Sequence, residues 1–397
     1  MNHIGDILSE IGRAGRNSDG SYSRGCYSPA YFDGLDIVER QMEELGMEVS
    51  RDAAGNILGV LPGKDKKLGS IIMGSHLDTV PSGGLFDGAY GVAGGLEVIR
   101  RMKEEGKTLN HSLELYGFNG EESNPLGGTF GSRAVAGLVE PGQPGLSEAL
   151  KTYGHTVQEI LNCKRNFSDA KCYLELHIEQ GPVLDREGLD IGIVDSIFGM
   201  RVIEVVLTGV GNHAGATPMY ERNDALCTAA ECILAAEKIV KEDTRKKTVA
   251  TVGKLEVMPN CSNVIPKTVK FSVEVRDRDE EKINGFMDRI IDEITKIAES
   301  RGVTCSIREH SKSSPLHLCD RVIKSMFDMA QQQGLSCKVM DSGAVHDACM
   351  IAKYADTGMI FVPSIDGRSH VPEENTDEKQ LAAGVGFLLD VVVKELK

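Results

Sequence analysis

The chain has no tryptophan, and aromatic residues make up only 5% of its 397 positions. A stacking platform for the bases of single-stranded nucleic acid is therefore not expected. Basic residues are also outnumbered: 44 Lys and Arg face 59 Asp and Glu, a formal net charge of −15. That balance argues against a nucleic-acid or anionic-membrane partner. No apolar run approaches the ~18 residues needed to span a bilayer. The start, Met1-Asn2-His3-Ile4-Gly5-Asp6, lacks the basic and apolar regions of a signal peptide, so a cytoplasmic location is expected. The ten cysteines contain no Cys-x-x-Cys pair. Cys227 and Cys232, the closest two, lie five apart on an expected helix, which suits neither a redox motif nor a zinc knuckle. Buried reduced thiols are the better reading. A nucleotide-binding reading fails as well, because neither Gly-x-Gly-x-x-Gly nor a P-loop occurs.

What is present is organised around Gly74–Gly95, a glycine-rich stretch carrying His76, Asp78 and Asp87. An apolar strand, Ile71–Met73, leads into it and a helix ending near Arg101 follows. Imidazole and carboxylate without thiolate suit Zn, Mn, Co or Ni in an open site rather than a closed structural zinc. The length allows two domains. Early in the chain, a helix is expected at Ile4–Ile11 and another from Ser28-Pro29 to Gly46, with a hairpin around Asp52-Ala-Ala-Gly55. Further strands at 113–118, 172–176 and 359–362 alternate with helical patterns. That alternation predicts an α/β domain with a largely parallel sheet.

Between them the rhythm changes. Strands at 201–207, 248–257, 268–277 and 303–309 and helices at 224–240 and 282–298 run β-α-β-β-α-β, the ferredoxin-like unit. The expected division is therefore a catalytic domain of residues 1–199 and 314–397 with a second domain, 200–313, inserted in it.

The candidate ligands share one topological feature. His76, the Glu121-Glu122 pair, His177 and His370 each follow the carboxyl end of an expected strand, where α/β sheets gather their ligands. A single histidine is usually structural, but four such loops at one sheet edge favour a metal site. Two close cations need a bridging anion, and Asp87 fits. Asp78, two residues from His76, is placed to orient that imidazole rather than to bind metal. Glu121 and Glu122 cannot easily share one metal, so one ligates while the other reaches an activated water.

Gly74-Ser-His-Leu-Asp-Thr-Val80, Phe86-Asp-Gly88, Glu121-Glu122, Phe130-Gly-Ser-Arg133, Glu175-Leu-His-Ile-Glu-Gln-Gly-Pro182 and Asn212-His-Ala-Gly215 resemble the N-carbamoyl-L-amino-acid hydrolase and allantoate amidohydrolase family. Asn263-Val-Ile-Pro266, Arg276, Ser342–Asp347 and Pro363–His370 continue the match. These dinuclear metallo-amidohydrolases belong to the aminoacylase/carboxypeptidase-like peptidase superfamily. The resemblance implies one metal at His76, Asp87 and His177, and another at Asp87, Glu122 and His370. It makes Glu121 the general base. It turns Gln180, His213, Asn263, Arg276 and His346 toward a small ureido acid, with His213 also serving catalysis. It further implies homodimerisation through the inserted domain, which closes over the site. An arginine fork suits a substrate carboxylate, and a histidine can donate to an oxyanion. The implied reaction is hydrolysis of N-carbamoyl-L-amino acids to amino acid, ammonia and carbon dioxide. Allantoate is the main alternative, then a dipeptidase or aminoacylase, then a non-catalytic metal-binding relative. Ser123-Asn-Pro125, Gly209-Val-Gly211 and Val345 depart from the family pattern, which bears on substrate more than on reaction type.

Overall fold

The computed structural model describes residues 3–65 and 67–396; Met1 and Asn2, where the leader reading begins, lie outside them. In chain order the strands are β1 (Glu48–Arg51), β2 (Ile57–Leu61), β3 (Ser70–His76), β4 (Leu113–Phe118), β5 (Ala170–Ile178), β6 (Ile191–Ile197) and β7 (Gly199–Thr208). They continue as β8 (Val249–Thr251), β9 (Leu255–Met258), β10 (Thr268–Asp277), β11 (Thr304–Ser313), β12 (Leu316–His317), β13 (Cys337–Ser342) and β14 (Thr357–Val362). The chain divides into two compact units, one of Met1–Asp195 with Leu318–Lys397 and one of Ser196–His317. Among the described residues no helix is long and apolar enough to cross a membrane.

Local rules account for the first elements. Helix Pro29–Glu44 starts where the Ser28 side chain accepts a hydrogen bond from Tyr31 N–H and Pro29 occupies the first turn. Its buried stripe is Leu35, Val38 and Met42. Gly46 ends it with φ of 72°. β1 and β2 form the expected antiparallel hairpin.

The sheet of the first unit runs β1-β2-β4-β3-β5-β14-β6, with β13 also on β6. Its centre, β4-β3-β5-β14, is parallel. The main sheet is thus mostly parallel, as expected, and the β1-β2, β2-β4 and β14-β6 pairs add antiparallel strands on either side of that centre. Apolar runs do not report strand direction; of these pairs only β1-β2 is joined by a short turn, which permits only antiparallel neighbours. β6 and β13 were not among the strands read from the sequence. β3 is buried along its whole length, as expected for a strand at the middle of a sheet covered on both faces.

Two further differences bear on the site. His76 and His177 are the last and next-to-last residues of β3 and β5, respectively, and do not lie in loops after them. The glycine-rich stretch is also shorter than it looks. A helix begins at Ala89, so Gly91, Gly94 and Gly95 are helical. A β-carbon at Gly91 would collide with the Leu176 carbonyl and Ser75, so the helix lies close against β3 and β5.

The second unit has a five-stranded antiparallel sheet, β11-β7-β10-β8 with β9 also on β10. Helices Ala225–Val240 and Glu280–Ser300 pack on it. The order is β-α-β-β-α-β with the second strand in two pieces, β8 and β9, where one strand was expected. Alternating burial along β10 puts Val269, Phe271, Val273 and Val275 into a core with Ile203, Val205, Leu207, Ile290 and Ile294.

Candidate metal centre

β3 delivers His76, and the turn after it delivers Asp87 through Gly88. Gly88 has φ of 66°, and a β-carbon there would collide with the His76 imidazole. β5 delivers His177 beside β3 in the same parallel layer. β4 ends at Phe118, and Glu121 and Glu122 follow. β14 ends at Val362, and His370 follows in a left-handed conformation with φ of 61°. Gln180 is likewise left-handed, at 59°. Such non-glycine conformations cost of order 1–3 kcal/mol each and concentrate at ligand clamps.

The ligand atoms form two triads sharing one residue. His76, Asp87 and His177 lie within 4.8 Å of one another, as do Asp87, Glu122 and His370. The two Asp87 oxygens divide between them. Oδ1 lies 3.3 Å from His177 Nε2 and 3.7 Å from His76 Nε2. Oδ2 lies 2.9 Å from His370 Nε2, which is 3.2 Å from Glu122 Oε1. That is the arrangement a bridging carboxylate needs.

The imidazoles are oriented from behind. His76 Nδ1 is 2.9 Å from the Asp78 carbonyl, and His177 Nδ1 is 2.9 Å from the Ile178 carbonyl. With each Nδ1 held by a main-chain carbonyl, both Nε2 atoms face the centre, the orientation a metal-binding imidazole needs. The donor set therefore fits a divalent metal site. Glu122 Oε1 adds to the fit, since it is buried without a well-aligned hydrogen bond.

The role of Asp78 differs from the expected one. Its carboxylate Oδ1 stands 3.7 Å from His76 Nδ1, and the ring is held by the Asp78 main-chain carbonyl instead. The carboxylate accepts hydrogen bonds from the main-chain N–H groups of Glu121 and Glu122, each at 3.1 Å. Asp78 thus shapes the Glu121-Glu122 turn.

Electrostatics set the cluster apart. Burial pushes the Glu121 carboxyl well above its ordinary range; His76 opposes this, while Asp347, Glu122 and Asp78 add to it. Burial disfavours charge on His76, yet Asp87, Glu121 and Asp78 outweigh it and raise that ring well above normal. Hydrogen bonds to Asp87 and Glu122 push His370 up to about 10. Burial raises Asp347 to about 7 and Glu175 to about 8. Crowded buried carboxylates of this kind mark functional sites and call for positive charge.

Gln180 and His346 join the same unit. Gln180 Nε2 donates to both Asp87 oxygens at 3.2 Å, and its Oε1 is buried without a partner. His346 is buried, with Nε2 2.8 Å from Ser342 Oγ and its ring edge-on to His177 at 4.7 Å between centroids. Ser123, Asn124 and Pro125 line a cavity of about 210 Å³ that also borders Glu122 and Asp78. His213, Asn263 and Arg276 belong to the second unit. His213 is exposed, and its Nδ1 accepts from Gly215 and Ala216 N–H at 3.1 and 3.2 Å, which leaves Nε2 carrying the proton. The Asn263 carbonyl accepts from Ala214 N–H, beside His213. Arg276 Nε donates to Glu274 at 2.6 Å.

Residues 72–394 match the model of Peptidase family M20/M25/M40. The chain belongs to that family. Within it, the chain is 36% identical to an N-carbamoyl-L-amino-acid amidohydrolase of Paenarthrobacter aurescens, over 97% of this chain and 95% of that one. It is 34% identical to an allantoate amidohydrolase of Bacillus subtilis, over 99% and 97%. It is also similar to the crystal structure of AtUAH in complex with glyoxylate, at 34% identity and TM-score 0.90, covering 99% and 97%. The M20/M25/M40 fold and a hydrolase acting on C–N bonds follow for this chain.

Two residues of this M20/M25/M40 chain escaped the sequence reading. Arg24 is fully buried; its Nε donates to the Leu77 carbonyl at 2.8 Å and its Nη1 to the Ala14 carbonyl at 3.1 Å. Burial lowers its pKa to about 10, and the Asp78 charge opposes that. Glu374 is buried against the Asp87 turn. Neither lies in a strand, helix or recognisable spacing pattern, so only the fold reveals them.

Proposed function

We propose that this metal-dependent amidohydrolase binds two divalent cations (Zn, Mn, Co or Ni) and hydrolyses the ureido C–N bond of N-carbamoyl-L-amino acids, releasing amino acid, ammonia and carbon dioxide. The carrying observation is Asp87, whose two oxygens serve separate triads beside the Glu121-Glu122 pair. When bound, the cations supply Lewis acidity that brings the pKa of water toward about 7 and polarises the substrate carbonyl. Glu121 takes the proton of the attacking water and returns it to the leaving nitrogen. His213 donates through Nε2 to the oxyanion, and Arg276 receives the substrate carboxylate with Asn263, Gln180 and His346. In this reading the second unit acts as a lid and as the homodimer interface.

A second substrate reading has a specific observation behind it. The similar AtUAH structure holds glyoxylate, a two-carbon acid that a ureidoglycolate would release on hydrolysis. Allantoate remains the alternative with two ureido groups on one carboxylated carbon. Ammonia release from N-carbamoyl-L-amino acids, N-carbamoyl-β-alanine, allantoate and ureidoglycolate, each with added manganese, zinc or cobalt, tests all of these. Turnover confined to dipeptides or acyl amino acids refutes the ureido assignment.

A further inference from the structure

We infer that Glu374 is a positioning residue that fixes the main chain of Asp87 and thereby holds the two halves of the metal centre in register. The inference rests on the dinuclear reading above. Glu374 is buried, and its Oε1 accepts hydrogen bonds from two consecutive main-chain N–H groups, Phe86 at 2.9 Å and Asp87 at 3.0 Å. Its Oε2 accepts from the Ser369 hydroxyl at 3.0 Å. Ser369 immediately precedes His370, and its hydroxyl also lies 3.5 Å from Asp87 Oδ2. One carboxylate, 287 residues beyond Asp87 in the chain, thus joins the turn carrying Asp87 to the loop carrying His370.

The surroundings are built for it. A β-carbon at Gly84 would collide with the Glu374 carboxylate, so only glycine leaves it room. The same device occurs on the other side of the centre, where the Asp78 carboxylate takes the N–H groups of Glu121 and Glu122. Both carboxylate-bearing turns are therefore presented by main chain whose paired N–H groups are captured by a buried acid. Because Asp87 belongs to both triads, a shift of its main chain misplaces the ligands of both cations.

Three variants separate this role from simple fold support. In E374Q the side-chain oxygen still accepts from Phe86 and Asp87, and the amide donates to Ser369. E374A leaves both N–H groups without an acceptor, and E374D is one methylene too short to reach them. Zn²⁺ affinity is measured by chelator competition, with bound metal counted after dialysis and the Tm of each metal-free protein recorded. E374A and E374D are expected to bind Zn²⁺ about 10–100-fold more weakly, the usual effect of losing a group that orients a ligand. E374Q is expected to stay close to wild type. If the metal-free Tm falls while affinity does not, Glu374 only supports the fold and the inference is overturned. Equal weakening in E374Q and E374A also overturns it, since charge rather than main-chain geometry would then matter. If E374A does not fold, E374D against E374Q decides, and equal affinity in those two refutes the role. A wild-type protein that takes up no Zn²⁺ refutes the dinuclear reading itself, a separate result.

Discussion

The position of the Asp78 carboxylate makes a quantitative prediction for Asp78→Asn. Both carboxylate oxygens accept main-chain N–H groups, those of Glu121 and Glu122. An amide in the same place accepts one of them and turns its own NH₂ toward the other. That removes one charge-assisted bond, worth about 1.5–3 kcal/mol, and leaves a buried N–H unsatisfied at about 1–3 kcal/mol. It also takes away the charge opposed to Arg24, which is fully buried and has Nη2 without a partner. The expected destabilisation from these two hydrogen-bond losses is thus ~3–6 kcal/mol in metal-stripped protein, read from urea unfolding by circular dichroism. If the carboxylate served only to orient His76, the change would be nearly silent, because Asn keeps the main-chain carbonyl that contacts His76 Nδ1. A loss below about 1 kcal/mol, no larger than one ordinary hydrogen bond, refutes the reasoning.

Other consequences are as direct. Glu121→Gln should keep the fold and bound metal while lowering kcat by about 10²–10⁴-fold, the usual range for a general base; near-normal turnover removes Glu121 from that role. Gly88→Ala combines a left-handed φ of 66° with a collision against His76, so it should destabilise by more than the ~1–3 kcal/mol of backbone strain alone and weaken metal uptake. Thermal melts with and without Zn²⁺ would detect both effects. In the second unit, burial pushes the Asp243 carboxyl up, but N–H groups of Thr248, Lys247 and Arg245 outweigh this and hold it below the usual carboxylate range. Its folded pKa is depressed, so its contribution is complete above the ordinary value near about 3.9 and is lost as pH falls through the folded value. Asp243→Asn should flatten the acid limb of stability below about pH 4. An unchanged acid limb would show that those main-chain bonds do not couple to its ionisation.

Much of this was legible locally. Capping by Ser28, the stripe of helix Pro29–Glu44 and the alternation along β10 depend only on near neighbours in the chain. Residue types were legible too: His and carboxylate without thiolate, arriving near strand ends, marked the residues that the fold brings within 4.8 Å of one another. Periodicity carries no strand direction, so the antiparallel β2-β4 and β14-β6 pairs beside the mostly parallel centre were not legible. It also carries no partner identity. Asp78 stood two residues from His76 in sequence, yet its carboxylate is engaged by residues 43 and 44 positions away.

The sequence by itself thus determined which chemical groups are available and which short segments present them, because caps, turns and burial periods are local. Only the tertiary structure decided how those groups share their contacts: Asp87 turning one oxygen to each triad, Arg24 set near Asp78, and Glu374 reaching back across 287 residues to the Asp87 turn. Hydrogen-bond partners are assigned by position in space, and the order of residues along the chain does not encode that position directly.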